Sequence, residues 1–124
     1  MTLPMTKKRL HPRIIALLPA EVRERADGPW NEAVLYDLSL GGAAVLTAFP
    51  LDLQREVRLR FALAKGGGDS LPVEIAALVV RAGAPSRAHA GFRNLSGLHF
   101  LPLSATTYDR LRTYVWEHLD GAAP

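Results

Sequence analysis

Two groups of side chains in this 124-residue chain have the types and spacing to bind a planar, negatively charged molecule. The first is Arg9-Leu-His-Pro-Arg13, with Lys8 in front of it. Its two guanidinium groups stand four residues apart. Pro12 disfavours helix for His11, so the segment is extended or turned. A guanidinium is flat, permanently charged and carries its donors in a fork, so it grips phosphate bidentately or stacks on a ring. The second group is Asp37-Leu-Ser-Leu-Gly-Gly42. Alternate residues of a strand share a face, so Asp37 and Ser39 are expected to point the same way. An ionised carboxylate only accepts hydrogen bonds, whereas a hydroxyl donates and accepts. Such a pair suits a group that presents N–H donors beside an acceptor, as a guanine edge does with its N1–H and exocyclic amine. After Gly41, Gly42 reads as a position closed to a Cβ, through positive φ or a close ligand.

Each group also has a plainer reading. Arg9 and Arg13 fit a basic, solvated arm. Asp37, Ser39 and the glycine pair fit an ordinary hairpin.

Neither group forms a catalytic set. The chain has no cysteine, which excludes a disulfide framework, a zinc–thiolate site and a thiol nucleophile. His11, His89, His99 and His118 are scattered without metal-ligand spacing. No histidine lies near Asp37 and Ser39, and no nucleophile-elbow motif is present. The expectation is a binding protein with no enzymatic activity, no cofactor and no metal.

The elements that must position these residues are mostly strands. Period-2 patterning marks Ala16 to Arg25, with Leu18, Ala20 and Val22 on one face, then Ala33 to Ser39 and Ala43 to Thr47. Val57, Leu59, Phe61 and Leu63 alternate with Arg58, Arg60 and Ala62. Val73, Ile75, Ala77 and Val79 mark a fifth strand, and Phe92 to Leu101 a sixth, with Leu98 and Phe100 on one side. Asp27-Gly-Pro-Trp-Asn31 is turn chemistry with an aromatic cover, and residues 65–70 (KGGGDS) read as a flexible loop. The period then changes. Tyr108, Leu111, Val115 and Leu119 recur at three and four residues, so about 106–119 reads as an amphipathic helix. Ser104 or Thr106 can cap it, and Asp109 is expected in the first turn. The pattern predicts an all-β fold: a small six-stranded antiparallel barrel with a C-terminal α-helix. Residues 1–8 form an arm, 9–119 one domain and 120–124 a tail.

Composition narrows the partners. The formal charge is +3, and 12 of the 15 basic residues are arginine. That is mild for a whole domain and does not by itself indicate nucleic acid. A single-stranded nucleic-acid barrel wants exposed aromatics interleaved with basic residues, and here only Phe61 beside Arg60 qualifies, in a core position. The longest apolar run, Ile14 to Ala20, falls far short of the roughly 20 residues that span a bilayer. Lys7-Lys8-Arg9 is separated from that run by His11-Pro12-Arg13, a poor signal peptide, so the expected location is cytoplasmic. On the helix, Tyr114 and Trp116 cannot both face inward with Leu111 and Val115, so one of them is expected at the surface.

Arg-x-x-x-Arg, 23 intervening residues and then Asp-x-Ser-x-x-Gly, on six strands and a helix, resembles the PilZ domain. Ser96-Gly-Leu-His-Phe100 is similar to the family's last barrel strand. The resemblance covers roughly residues 6–119. It implies binding of cyclic di-GMP, a bacterial second messenger. Arg9 and Arg13 would hold phosphates and stack on guanine, Asp37 and Ser39 would read a guanine edge, and Gly42 would leave room. Lys8 stands where the family often has arginine, which leaves the ligand count, one or two, open. The implied function is a sensor that couples the messenger to a conformational change and a downstream protein partner, or to a change in its own oligomeric state such as a homodimer. The alternative is a PilZ-like protein-interaction module that takes no nucleotide, and a purely structural domain is a further rival.

Overall fold

In the computed structural model, residues 12–64, 70–86 and 91–119 are described. The chain runs through β1 (Ile14–Arg23), β2 (Asn31–Leu38), β3 (Gly42–Thr47), β4 (Glu56–Ala64), β5 (Ser70–Gly83), β6 (Asn94–Phe100) and α1 (Ala105–His118). The strands close into a barrel in the order β1-β2-β3-β6-β5-β4, and every pairing is antiparallel. The expected six-stranded barrel with one C-terminal helix is therefore the fold. No helix among the described residues is long and apolar enough to cross a membrane.

The inward positions are those that period 2 selects. Val57, Leu59, Phe61 and Leu63 of β4 are buried, as are Val73, Ile75, Ala77 and Val79 of β5 and Leu98 and Phe100 of β6. Leu35, Leu38 and Val45 complete the wall between β2 and β3. Burying each large aliphatic side chain contributes about 1.5–3 kcal/mol, so this interior is the main source of stability. Helix α1 adds Leu111, Tyr114 and Val115 to the same core. Ser104 is its N-cap and accepts from the Thr107 N–H at 3.1 Å. Arg110 donates to the Pro72 carbonyl at 2.7 Å, tying the helix to the start of β5. Tyr114 is buried and Trp116 is 64 % exposed, so the predicted conflict between them resolves with Trp116 outward.

Several boundaries differ from the sequence reading. The first strand begins at Ile14 and ends at Arg23, two residues earlier at each end than the alternation suggests. The early start includes a break in register between Ile15 and Leu18, where Leu17 takes φ +48°. The break turns Leu17 to solvent and leaves Leu18 only partly buried. The second strand stops at Leu38, so Ser39 lies beyond it. Asp109 is the fifth residue of the helix, one turn later than expected, and the first turn carries no acid. Trp30, read as a turn cover, packs under two guanidinium groups, with Arg60 Cζ 3.9 Å and Arg23 Cζ 4.6 Å from its ring centre. The arm 1–8, the loop residues 65–69 and the tail 120–124 lie outside the described residues.

Candidate functional site

Arg13 stands one residue before β1 and meets Asp37 near the end of β2. The guanidinium donates from Nη1 to Asp37 Oδ2 at 3.2 Å, with Oδ1 at 3.4 Å. Both side chains are mostly shielded, 24 % and 14 % exposed, so water weakens this pair less than one on an open surface. Asp37 is also anchored from the other side, because Oδ1 accepts the Ala44 N–H at 3.0 Å. The carboxylate thus has a fixed position and keeps lone pairs for another donor.

The direction of Asp37 is not the one simple alternation gives. Ala33 and Leu35 face the core, and Asp37 has the same parity. A register shift between Leu35 and Asp37 inserts Tyr36 and rotates Asp37 to the outer face, while Leu38 returns to the core. A bulge re-aims a side chain in this way at small cost to the sheet.

Ser39 has a different surrounding from the one expected of it. It does not share a strand face with Asp37; it is buried in the β2–β3 connection. Its Oγ accepts from the N–H groups of Gly41 (3.2 Å) and Gly42 (3.1 Å) and donates to the Gly42 carbonyl (3.2 Å). The Ser39 N–H reaches the same carbonyl at 2.9 Å. One donor and two acceptor sites are all that a hydroxyl has, so the side chain is spent on shaping the loop. Gly42 likewise opens β3, and its backbone is not left-handed. A Cβ would lie 2.2 Å from the Leu98 carbonyl oxygen on β6. Lys8 and Arg9 lie outside the described residues.

Outward-facing residues continue the site sideways across the barrel. The registers place Ile15, Asp37, Ala44, Gly97 and Arg81 in one row over β1, β2, β3, β6 and β5. A pocket of about 290 Å³ lies on this row, lined by Arg13, Tyr36 and Asp37 on one side and by Arg81 and Gly83 on the other. Ala44, Leu95 and Gly97 also line it. Small side chains at Ala44 and Gly97 leave the middle of the row low, between polar residues on either side. The arrangement offers a planar cation, a fixed acceptor and a surface that a flat ring can approach.

Sequence reading missed Arg81. Counting by two along β5 from Val79 puts position 81 inside the barrel, where an arginine has no place. The structure resolves the conflict with a register shift between Val79 and Arg81 that turns the arginine out. An arginine at a core-parity position after an apolar strand was the available signal. A larger hollow of about 670 Å³ on the β1–β4–β5 face is lined by Glu21, Glu32 and Glu74 beside Arg60. Arg60 is already paired with Glu21 at 2.6 Å, so this acid-rich surface repels anions. Among the described residues no group of His, Asp and Glu could hold a metal ion.

Comparison with known proteins agrees with this fold. Among solved structures, the inhibitor of motility MotI (DgrA) of Bacillus subtilis superposes with a TM-score of 0.73 at 21 % identity, covering 93 % of this chain and 53 % of that one. The chain thus spans about half the length of that protein. The PilZ domain of YcgR from Escherichia coli, solved with c-di-GMP, gives a TM-score of 0.68 at 21 % identity over 90 % of this chain and 91 % of that domain. The PilZ domain of CeSA from a cellulose-synthesizing bacterium gives 0.58 at 24 % identity, covering 85 % and 95 %. No curated protein matches the sequence. The profile of the PilZ domain matches residues 7–117, nearly the whole barrel and helix, and the chain belongs to the PilZ domain family.

Proposed function

We propose that this protein binds cyclic di-GMP in the pocket between Arg13–Asp37 and Arg81, and passes the event to a partner protein as a change in the segment leading into β1. The observation that carries this is the fixed Arg13–Asp37 pair at the edge of a shallow outer-face pocket, in a chain of the PilZ family. The YcgR PilZ domain, which shares this fold, was solved with that ligand.

The chemistry follows from the groups present. Cyclic di-GMP is a dianion with two flat bases. Arg13 supplies a planar cation for phosphate or base. Asp37, held by the Ala44 N–H, presents an acceptor matched to the N1–H and amino group of guanine. Ser39 and Gly42 serve indirectly, by fixing the loop that carries Asp37. Arg9 and Lys8, which lie outside the described residues, would add positive charge, as the family resemblance implies. Any backbone that binding orders costs about 1–2 kcal/mol per residue in entropy. Charge-assisted hydrogen bonds of about 1.5–3 kcal/mol each offset it. The bound arm and the surface around it then form what a partner recognises. The role is that of a receptor, without a chemical step.

Calorimetric titration of cyclic di-GMP into the wild type and Arg13→Ala tests this directly. Binding by the wild type that is largely lost in the variant supports it, and the fitted stoichiometry gives the ligand count. A folded wild type that takes up no ligand favours the alternative, a PilZ domain that meets only proteins.

A further inference from the structure

The pocket has two sides, and Arg13 accounts for one. Within the described lining, the Arg13 charge is matched by the Asp37 carboxylate at 3.2 Å. No ion pair or hydrogen bond among the described residues engages Arg81, which is the remaining cation of the lining. The positive potential that an anion would meet on these residues therefore comes from β5.

Arg81 is held low by Gly97. The two are register partners on β5 and β6, both facing outward. A Cβ at position 97 would lie 3.1 Å from Arg81 Nε and 3.3 Å from Nη2, so the guanidinium lies close along the β6 backbone. Three strand-to-strand steps separate Asp37 from Arg81 along the row, and the two residues line one pocket. A ligand with two anionic groups can meet Arg13 on one side and Arg81 on the other.

We propose that Arg81 is a ligand-binding residue, which contacts a phosphate of the bound nucleotide across the groove from Arg13, and that Gly97 is the notch that lets it do so. This rests on the nucleotide-binding reading above. It assigns the opposite wall of the pocket, outside both motif clusters.

The test is titration of cyclic di-GMP into the wild type, Arg81→Ala, Arg81→Lys and Gly97→Val, each checked for folding by thermal melting. Loss of one charge-assisted contact lowers affinity about tenfold or more. Arg81→Ala should show that loss with an unchanged melting temperature. Arg81→Lys, which keeps a point charge for phosphate, should stay within about threefold of the wild type. Gly97→Val should weaken binding, and adding it to Arg81→Ala should cost nothing more. Affinity of Arg81→Ala within twofold of the wild type overturns the assignment. So does Arg81→Lys binding as poorly as Arg81→Ala, because the contact would then not be electrostatic. If Gly97→Val does not fold, the Arg81 pair still decides. If the wild type itself takes up no ligand while folded, the nucleotide reading fails, and this inference with it.

Discussion

Asp37 and Arg81 stand in one outward row, three strands apart, and each is turned there by a single-residue bulge immediately before it. Without those bulges both charges would point into the apolar interior. The sheet irregularities and the polar site are therefore one feature. A third irregularity, at Leu17 in β1, flanks the same site on the other side.

Asp37 can be separated into its structural and binding parts. Asp37→Asn keeps an oxygen for the Ala44 N–H but loses the charge opposite Arg13, and its amide turns donors toward a donor edge. We expect cyclic di-GMP affinity to fall by tenfold or more, measured by calorimetry, with a stability loss of about 1 kcal/mol or less in urea. Equal affinity in this variant would remove Asp37 from the site.

Ser39→Ala should act on stability. Two N–H groups of the loop lose their acceptor, which costs about 1–3 kcal/mol when the groups are buried. Denaturant unfolding should show that loss at unchanged m-value. Any drop in ligand affinity should be smaller than that of Asp37→Asn.

Gly42→Ala meets a backbone carbonyl, not a flexible side chain. The β3 and β6 strands must move apart locally to admit the methyl group. The expected destabilisation is at or above the top of the range of about 1–3 kcal/mol for overpacking, read from the urea midpoint. A variant as stable as the wild type would mean that the two strands separate easily.

Burial raises the Tyr114 phenol above its ordinary value of 10.0. The neutral ring packs in the core beneath α1 and stacks on His118 with 4.0 Å between ring centres. Its contribution is complete below pH 10, where the phenol is neutral in both states. It is lost as pH rises through the folded value, because the unfolded chain ionises first. Melting temperatures taken from pH 9 to 11.5 should fall more steeply for the wild type than for Tyr114→Phe.

The sequence made some of this plain and hid the rest for a physical reason. Runs with unbroken alternation, such as Val57 to Leu63, were readable because each inward residue is apolar and each outward one is not. The helix was readable because its period changes at Tyr108. Alternation fails where a bulge intervenes, since one inserted residue reverses the parity of everything after it. That hid the outward turn of Arg81 and the early start of β1. Asp37 pairs with Arg13 on the outer face, although strict parity places it inside. Ser39 does not share a strand face with Asp37 because the strand ends one residue earlier than its pattern, and a hydroxyl in a turn bonds to its own neighbours.

The closeness of Gly42 to the Leu98 carbonyl also bears on how such chains age. Ser39 and Gly42 shape the barrel itself, so selection for stability would purge their loss even in a lineage that no longer met any nucleotide. Arg13, Asp37 and Arg81 carry no comparable obligation to the core and would drift first. A descendant could keep the serine and the glycine as inherited carpentry after losing the charges around the pocket. Under the proposed function, those charges are the side chains that tell a hearing copy from a deaf one.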